Sequence, residues 1–201
     1  MAYSQTLEHI PPASAPASPA EDEETRIASL TGVLEKWFSQ HRELRCFLAI
    51  DPSQRDPVSG DVEDKSSFAS LQRSSVIIDH AAFPEPCCPY LLELDLSTRA
   101  GRAALEQSVR IAYEDRDPDS MAEGLGQRVG GWMASSATLE EITAHWSHLI
   151  LQRDESGHAC VLRLFDSRAL ALLWNVLSQA QRQSMLGPVK ALHVLDASAR
   201  P

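Results

Sequence analysis

Several absences bound what this chain can be. No apolar run approaches the ~18 residues that read as a membrane span, and the N-terminus lacks the basic-then-apolar pattern of an export signal. The expectation is a cytoplasmic protein with no membrane partner. Clusters of Lys and Arg are missing, which argues against nucleic acid. Cysteine is sparse: Cys46, Cys87, Cys88 and Cys160 form no C-x-x-C pair, and adjacent Cys87 and Cys88 cannot easily bridge each other. Reduced thiols are expected, with no disulfide or metal staple. There is no P-loop, dinucleotide fingerprint, G-x-S-x-G elbow or H-E-x-x-H pair, so no cofactor is expected.

What is present suits one ordinary domain. The 201 residues are 43% apolar and 23% charged. A domain of that size buries roughly 70% of its unfolded surface. The net charge is −10, and the first 24 residues hold five acids (Glu8, Glu21, Asp22, Glu23, Glu24) and no Lys or Arg. With Pro11, Pro12, Pro16 and Pro19 closely spaced, residues 1–24 are expected to be a disordered Pro/Ala/acidic tail, because such a segment buries too little surface to offset its ordering entropy. The folded part is expected over 25–196.

Within it, strand and helix signals alternate. Ile27, Leu30, Leu34 and Trp37–Phe38 predict an amphipathic helix over roughly 25–40. Arg45–Ile50, Ser74–Asp79 and Tyr90–Leu94 predict strands, and residues 99–115 a helix with Pro118 as its outer limit. Gly124, Gly126, Gly130 and Gly131 read as turn glycines ahead of Trp132. Thr138 with Glu141, and Ser178 with Gln181, are capping boxes opening helices. Gly187–Pro188 ends the second, and Val189–Leu195 is a last strand. A strand over 160–166 is predicted to break into a helix near Arg168, after the tight turn Asp154–Gly157. Together these predict an α/β fold, a mixed sheet with helices on its faces.

The polar residues offer three candidate sites. Glu141, His145 and His148 lie at i, i+4 and i+7 and could ligate a metal, but that flank also reads as the solvated side of a helix. The acids Asp115, Asp117 and Asp119 lack the ladder of a calcium loop. Asp166 suits a helix N-cap. Arg163 should lie opposite Asp166 if the strand continues. Arg168 can reach a partner or fold back onto a carboxylate. Trp37, Trp132 and Trp174 are aromatic anchor candidates, Trp174 falling on a helical stripe that suits core.

These segments resemble the adaptor-chaperone domain of bacterial type VI secretion systems, a family long labelled a domain of unknown function. The likeness rests on Ala49-Ile50-Asp51, Pro89-Tyr90-Leu91-Leu92-Glu93-Leu94, Trp132 with Ser135, Leu139–His148 and Arg153-Asp154-x-x-Gly157. Its strongest part is Val161-Leu162-Arg163-Leu164-Phe165-Asp166-x-Arg168-x-Leu170, closed by Leu186-Gly187-Pro188-Val189. Ser167 stands where the family usually has Pro, and residues 97–130 are longer than its pattern. The resemblance implies a non-enzymatic adaptor that binds a toxic effector protein and helps load it onto the valine-glycine-repeat spike protein. Trp132, Arg163, Asp166 and Arg168 are its candidate partner-binding residues. The alternatives are an immunity-type protein masking a toxin, and a small metal-dependent hydrolase using His145 and His148.

Overall fold

The burial pattern of β2 (Arg45–Ile50) shows how the layers arise. Successive strand side chains point to opposite faces. Cys46, Leu48 and Ile50 enter one core cluster, Phe47 and Ala49 the other. A strand buried on both faces belongs inside a sheet. In the computed structural model, which describes residues 6–10, 19–53, 55–58, 67–81, 83–122 and 126–195, β2 is such a strand. It pairs antiparallel with both β4 (Tyr90–Leu94) and β5 (Val129–Ser135).

Three further strands complete this sheet: β1 (Thr6–Ile10), β3 (Arg73–Ser75) and β8 (Val189–Leu195). The order is β1-β8-β5-β2-β4-β3. Only β1, against β8, runs parallel, so the sheet is mixed, as the sequence predicts. A separate hairpin pairs β6 (Leu151–Arg153) with β7 (Ala159–Val161) across the Asp154–Gly157 turn.

Helices cover both faces. On one, α1 (Pro19–Gln40) sets Ile27, Leu30, Leu34 and Phe38 beside Leu105, Val109 and Ala112 of α2 (Arg99–Glu114). A short α3 (Pro118–Ala122) follows. On the other face lie α4 (Leu139–Ile150), α5 (Ser167–Val176) and α6 (Gln179–Leu186). Both predicted capping boxes form: Thr138 N–H donates to Glu141 at 2.8 Å and Glu141 N–H to Thr138 Oγ1 at 3.2 Å. Ser178 and Gln181 repeat the exchange at 2.9 and 3.3 Å. Each cap contributes about 1 kcal/mol.

Three expectations need correction. Residues 1–5 and 11–18 lie outside the described residues, but inside the expected tail Thr6–Ile10 forms β1 and α1 already begins at Pro19. The outer edge of β8 offers unpaired backbone groups, and the ladder formed there satisfies them. The second predicted strand stops at Ser75, because its partner β4 starts only after Pro89, which has no N–H to give. Val76 N–H bonds the Pro89 carbonyl and Ile77 N–H turns to Ser147 Oγ, at 2.7 and 2.8 Å. α2 ends at Glu114, inside the limit predicted at Pro118, and Pro118 itself opens α3, since proline suits a first helical position.

Gly130 and Gly131 are strand residues in β5, not turn glycines. A Cβ on Gly130 would lie 2.9 Å from the Phe165 carbonyl carbon, inside van der Waals contact. Glycine here permits close approach of two backbones, and that approach seats the 162–166 segment against the sheet.

Candidate partner-binding site

One end of the sheet gathers the polar signature. β2 runs out at Ile50, and Asp51 N–H donates to the Arg128 carbonyl, just before β5, at 2.8 Å. This fixes the buried Asp51 carboxylate at the rim. Its Oδ1 accepts Ser53 N–H at 2.9 Å and its Oδ2 accepts Arg163 Nη2 at 3.4 Å.

The strand expected through Asp166 in fact ends at Val161. Leu164 and Phe165 fold into the core, and Asp166 is the N-cap of α5. Arg163 therefore lies beside Asp166, with Nη2 3.5 Å from Oδ2, rather than opposite it. Strand alternation fails because there is no strand across those positions. Arg168 folds back: its N–H and Nε donate to Asp166 Oδ1 at 3.0 and 3.2 Å, and its Nη2 to Oδ2 at 3.2 Å. Burial pushes the Asp166 carboxyl up. The Arg168 hydrogen bond and charge, with the Arg163 charge, outweigh that and hold it below its ordinary range.

The result is two buried carboxylates orienting two guanidiniums. The Arg163 and Arg168 side chains remain 46% and 44% exposed, so each pairs inward and has donors left for an outside group. A second cluster adjoins them. Arg128 donates its backbone N–H and Nε to buried Asp115, both at 2.7 Å, and its Nη2 to Glu114 at 2.9 Å. Burial holds the Asp115 carboxyl above its ordinary value despite Arg128 and Arg55. Half-exposed Arg55 reaches Asp115 at 3.5 Å. Ser167 donates to Gln127 and accepts from Arg116 at 3.4 Å. The residue in the usual proline position is thus tied to the longer 97–130 segment.

The other predicted residues fall elsewhere. Trp132 is fully buried at 0% exposure and faces α2, its Nε1 donating to Ser108 Oγ at 2.8 Å. It presents no surface to a partner. Trp174 is half-buried rather than core, with the Arg182 guanidinium 5.1 Å from its ring centre. Trp37 stacks on His41 at 4.0 Å and meets buried His193 edge-on at 4.6 Å.

Glu141 commits its carboxylate to the capping box. His145 packs on Gly187, where an added Cβ would lie 2.6 Å from its Cδ2. Among the described residues no group of three or more His, Cys, Asp and Glu is placed to hold a metal ion. No described helix is long and apolar enough to cross a membrane.

Sequence reasoning missed Asp51, Asp115 and Arg128 as parts of this rim. The usable signal was an acid directly after an apolar strand and before Pro52; the Asp115–Arg128 pairing has no local signature.

A family model described as Domain of unknown function (DUF4123) matches residues 79–184, just over half the chain. The matched span runs from before β4 to within α6 and includes Arg163, Asp166 and Arg168. No curated protein and no solved structure matches the chain.

Proposed function

This chain belongs to the Domain of unknown function (DUF4123) family, which is linked to type VI secretion, and from that membership we propose that it is a non-enzymatic cytoplasmic adaptor. It binds an effector protein and helps load it onto the spike protein. The observation that carries the reading is the pair of half-exposed guanidiniums, Arg163 and Arg168, held from beneath by buried Asp51 and Asp166.

That arrangement suits binding better than bond-making. A general base needs a carboxylate free to take a proton. Here each buried carboxylate is already engaged by a guanidinium and a backbone N–H, and Asp166 is held ionised by its arginines. Preoriented arginines at a rim are a common anchor of protein interfaces, because the planar fork binds carboxylates and carbonyls with little further ordering cost.

The test is co-expression with the effector encoded beside this gene. Co-purification of the two, with an effector that is unstable alone, supports the adaptor reading. An effector that folds normally and ignores this protein ends it. Protection of cells from the active effector, with no help to an inactive one, would instead favour an immunity role.

A further inference from the structure

α5 is apolar around most of its circumference, yet only Ser167 and Leu170 of its ten residues are buried. A helix of this kind is ordinarily enclosed. Leu172 and Val176 are instead 73% and 78% exposed, more than any other large apolar side chain described. They stand one and two turns beyond Arg168, at the i+4 spacing that places side chains in one row. The row spans roughly 12 Å at 1.5 Å per residue. Trp174 flanks it, half-buried, with Arg182 of α6 over its ring.

Charge identifies what fits this row. The whole chain carries a net −10, but Ser167 to Leu195 contains Arg168, Arg182 and Lys190 and no acid. The neighbouring Asp166 is buried and already engaged by Arg163 and Arg168. A second copy docked through a two-fold axis would set this surface against itself, with no acid from either segment to receive Arg168 and Arg182. A partner presenting acids beside apolar side chains is complementary in both respects.

We propose that the Arg168–Leu172–Val176 row, with Trp174 and Arg182 at its side, is the docking surface for an amphipathic acidic helix of the effector. This rests on the adaptor reading and names the face that reading requires. The helix lays its apolar stripe on Leu172 and Val176 and sets its carboxylates on Arg168 and Arg182. The rim arginine Arg163 extends the same surface.

The experiment measures Kd between the full chain and the effector encoded beside it, at low and high salt. Leu172→Glu with Val176→Glu should weaken binding about tenfold or more, as loss of a central anchor does, and Arg182→Glu should weaken it in a salt-sensitive manner. Val33→Glu, on exposed α1 surface, should leave Kd unchanged. Circular dichroism should show all variants folded. Full affinity in the Leu172/Val176 variant overturns this surface and leaves the adaptor reading standing. No binding by the unaltered chain overturns the adaptor reading itself. A dimer of the unaltered chain that the same double variant converts to monomer, or flotation with phosphatidylserine vesicles that it abolishes, overturns the acidic-helix occupant.

Discussion

The backbones of Gly130 and Phe165 approach so closely that a methyl group at Gly130 would overlap the Phe165 carbonyl. This contact joins the sheet to the segment that carries Arg163 and Asp166. The obstacle is backbone, so relief requires the segment to move. Gly130→Ala is expected to destabilise the fold by about 1–3 kcal/mol, the range for overpacking a tight site. Urea denaturation would measure it as a lowered midpoint at unchanged slope. Partner affinity should fall as well, because the displaced segment carries both rim residues.

Asp166 combines a helix cap with two ion pairs. Asp166→Ala removes both and leaves a buried rim without its anion. A loss of about 2–3 kcal/mol is expected, taking ~1 for the cap and the rest for charge-assisted bonds. Asp166→Asn keeps a competent cap and should cost less. Equal losses in the two variants, measured by chemical denaturation, would contradict the dual role.

Trp132 and Ser108 form a buried indole-to-hydroxyl bond of 2.8 Å. Ser108→Ala strands the N–H and should cost about 1–3 kcal/mol. Trp132→Ala should cost about 3–5 kcal/mol through cavity formation. Where such variants still fold, partner affinity should be unchanged, since Trp132 has no exposed surface. A selective loss of binding in a fully folded Ser108→Ala protein would contradict this placement.

His193 is buried, and burial first, then nearby His41, lowers its pKa from 6.5 to about 4. The unfolded chain therefore binds a proton between about pH 6.5 and 4 that the folded chain refuses. Stability is greatest above pH 6.5 and falls with pH across that window, by a few kcal/mol at most, on the order of 3, at 1.36 kcal/mol per pKa unit. Asp166 adds a loss at lower pH, as its carboxylate protonates below the ordinary range. Asp115, held above that range, works in the opposite direction. Denaturation midpoints from pH 7 to 4 should decline, and His193→Phe should flatten the decline.

Much of this fold can be read from local chemistry. The apolar runs of β2 and β4 and the two capping boxes depend on residues close together in sequence, where the signal is strong. The misread parts depend on distant partners. β3 is cut short by a proline just before the facing strand, and the β5 glycines look like turn residues unless the Phe165 backbone is known to lie against them. Arg163 and Asp166 meet because the chain leaves the strand at Val161, which no local pattern marks. Of the four predicted partner residues, Arg163 and Arg168 are on the surface, Asp166 supports them from below, and Trp132 lies in the core. The α5 stripe that carries Trp174 was legible and packs against the core, but the outward row of Leu172 and Val176 was not read, because nothing local marks a second apolar face as exposed.

The central claim is that this chain serves an effector by binding it and has no part in the effector's chemistry. The most direct measurement is secretion of a catalytically inactive effector by cells with and without this gene. Secretion should be lost on deletion and restored by the unaltered gene. Unchanged secretion of the inactive effector in the deletion strain would contradict the claim.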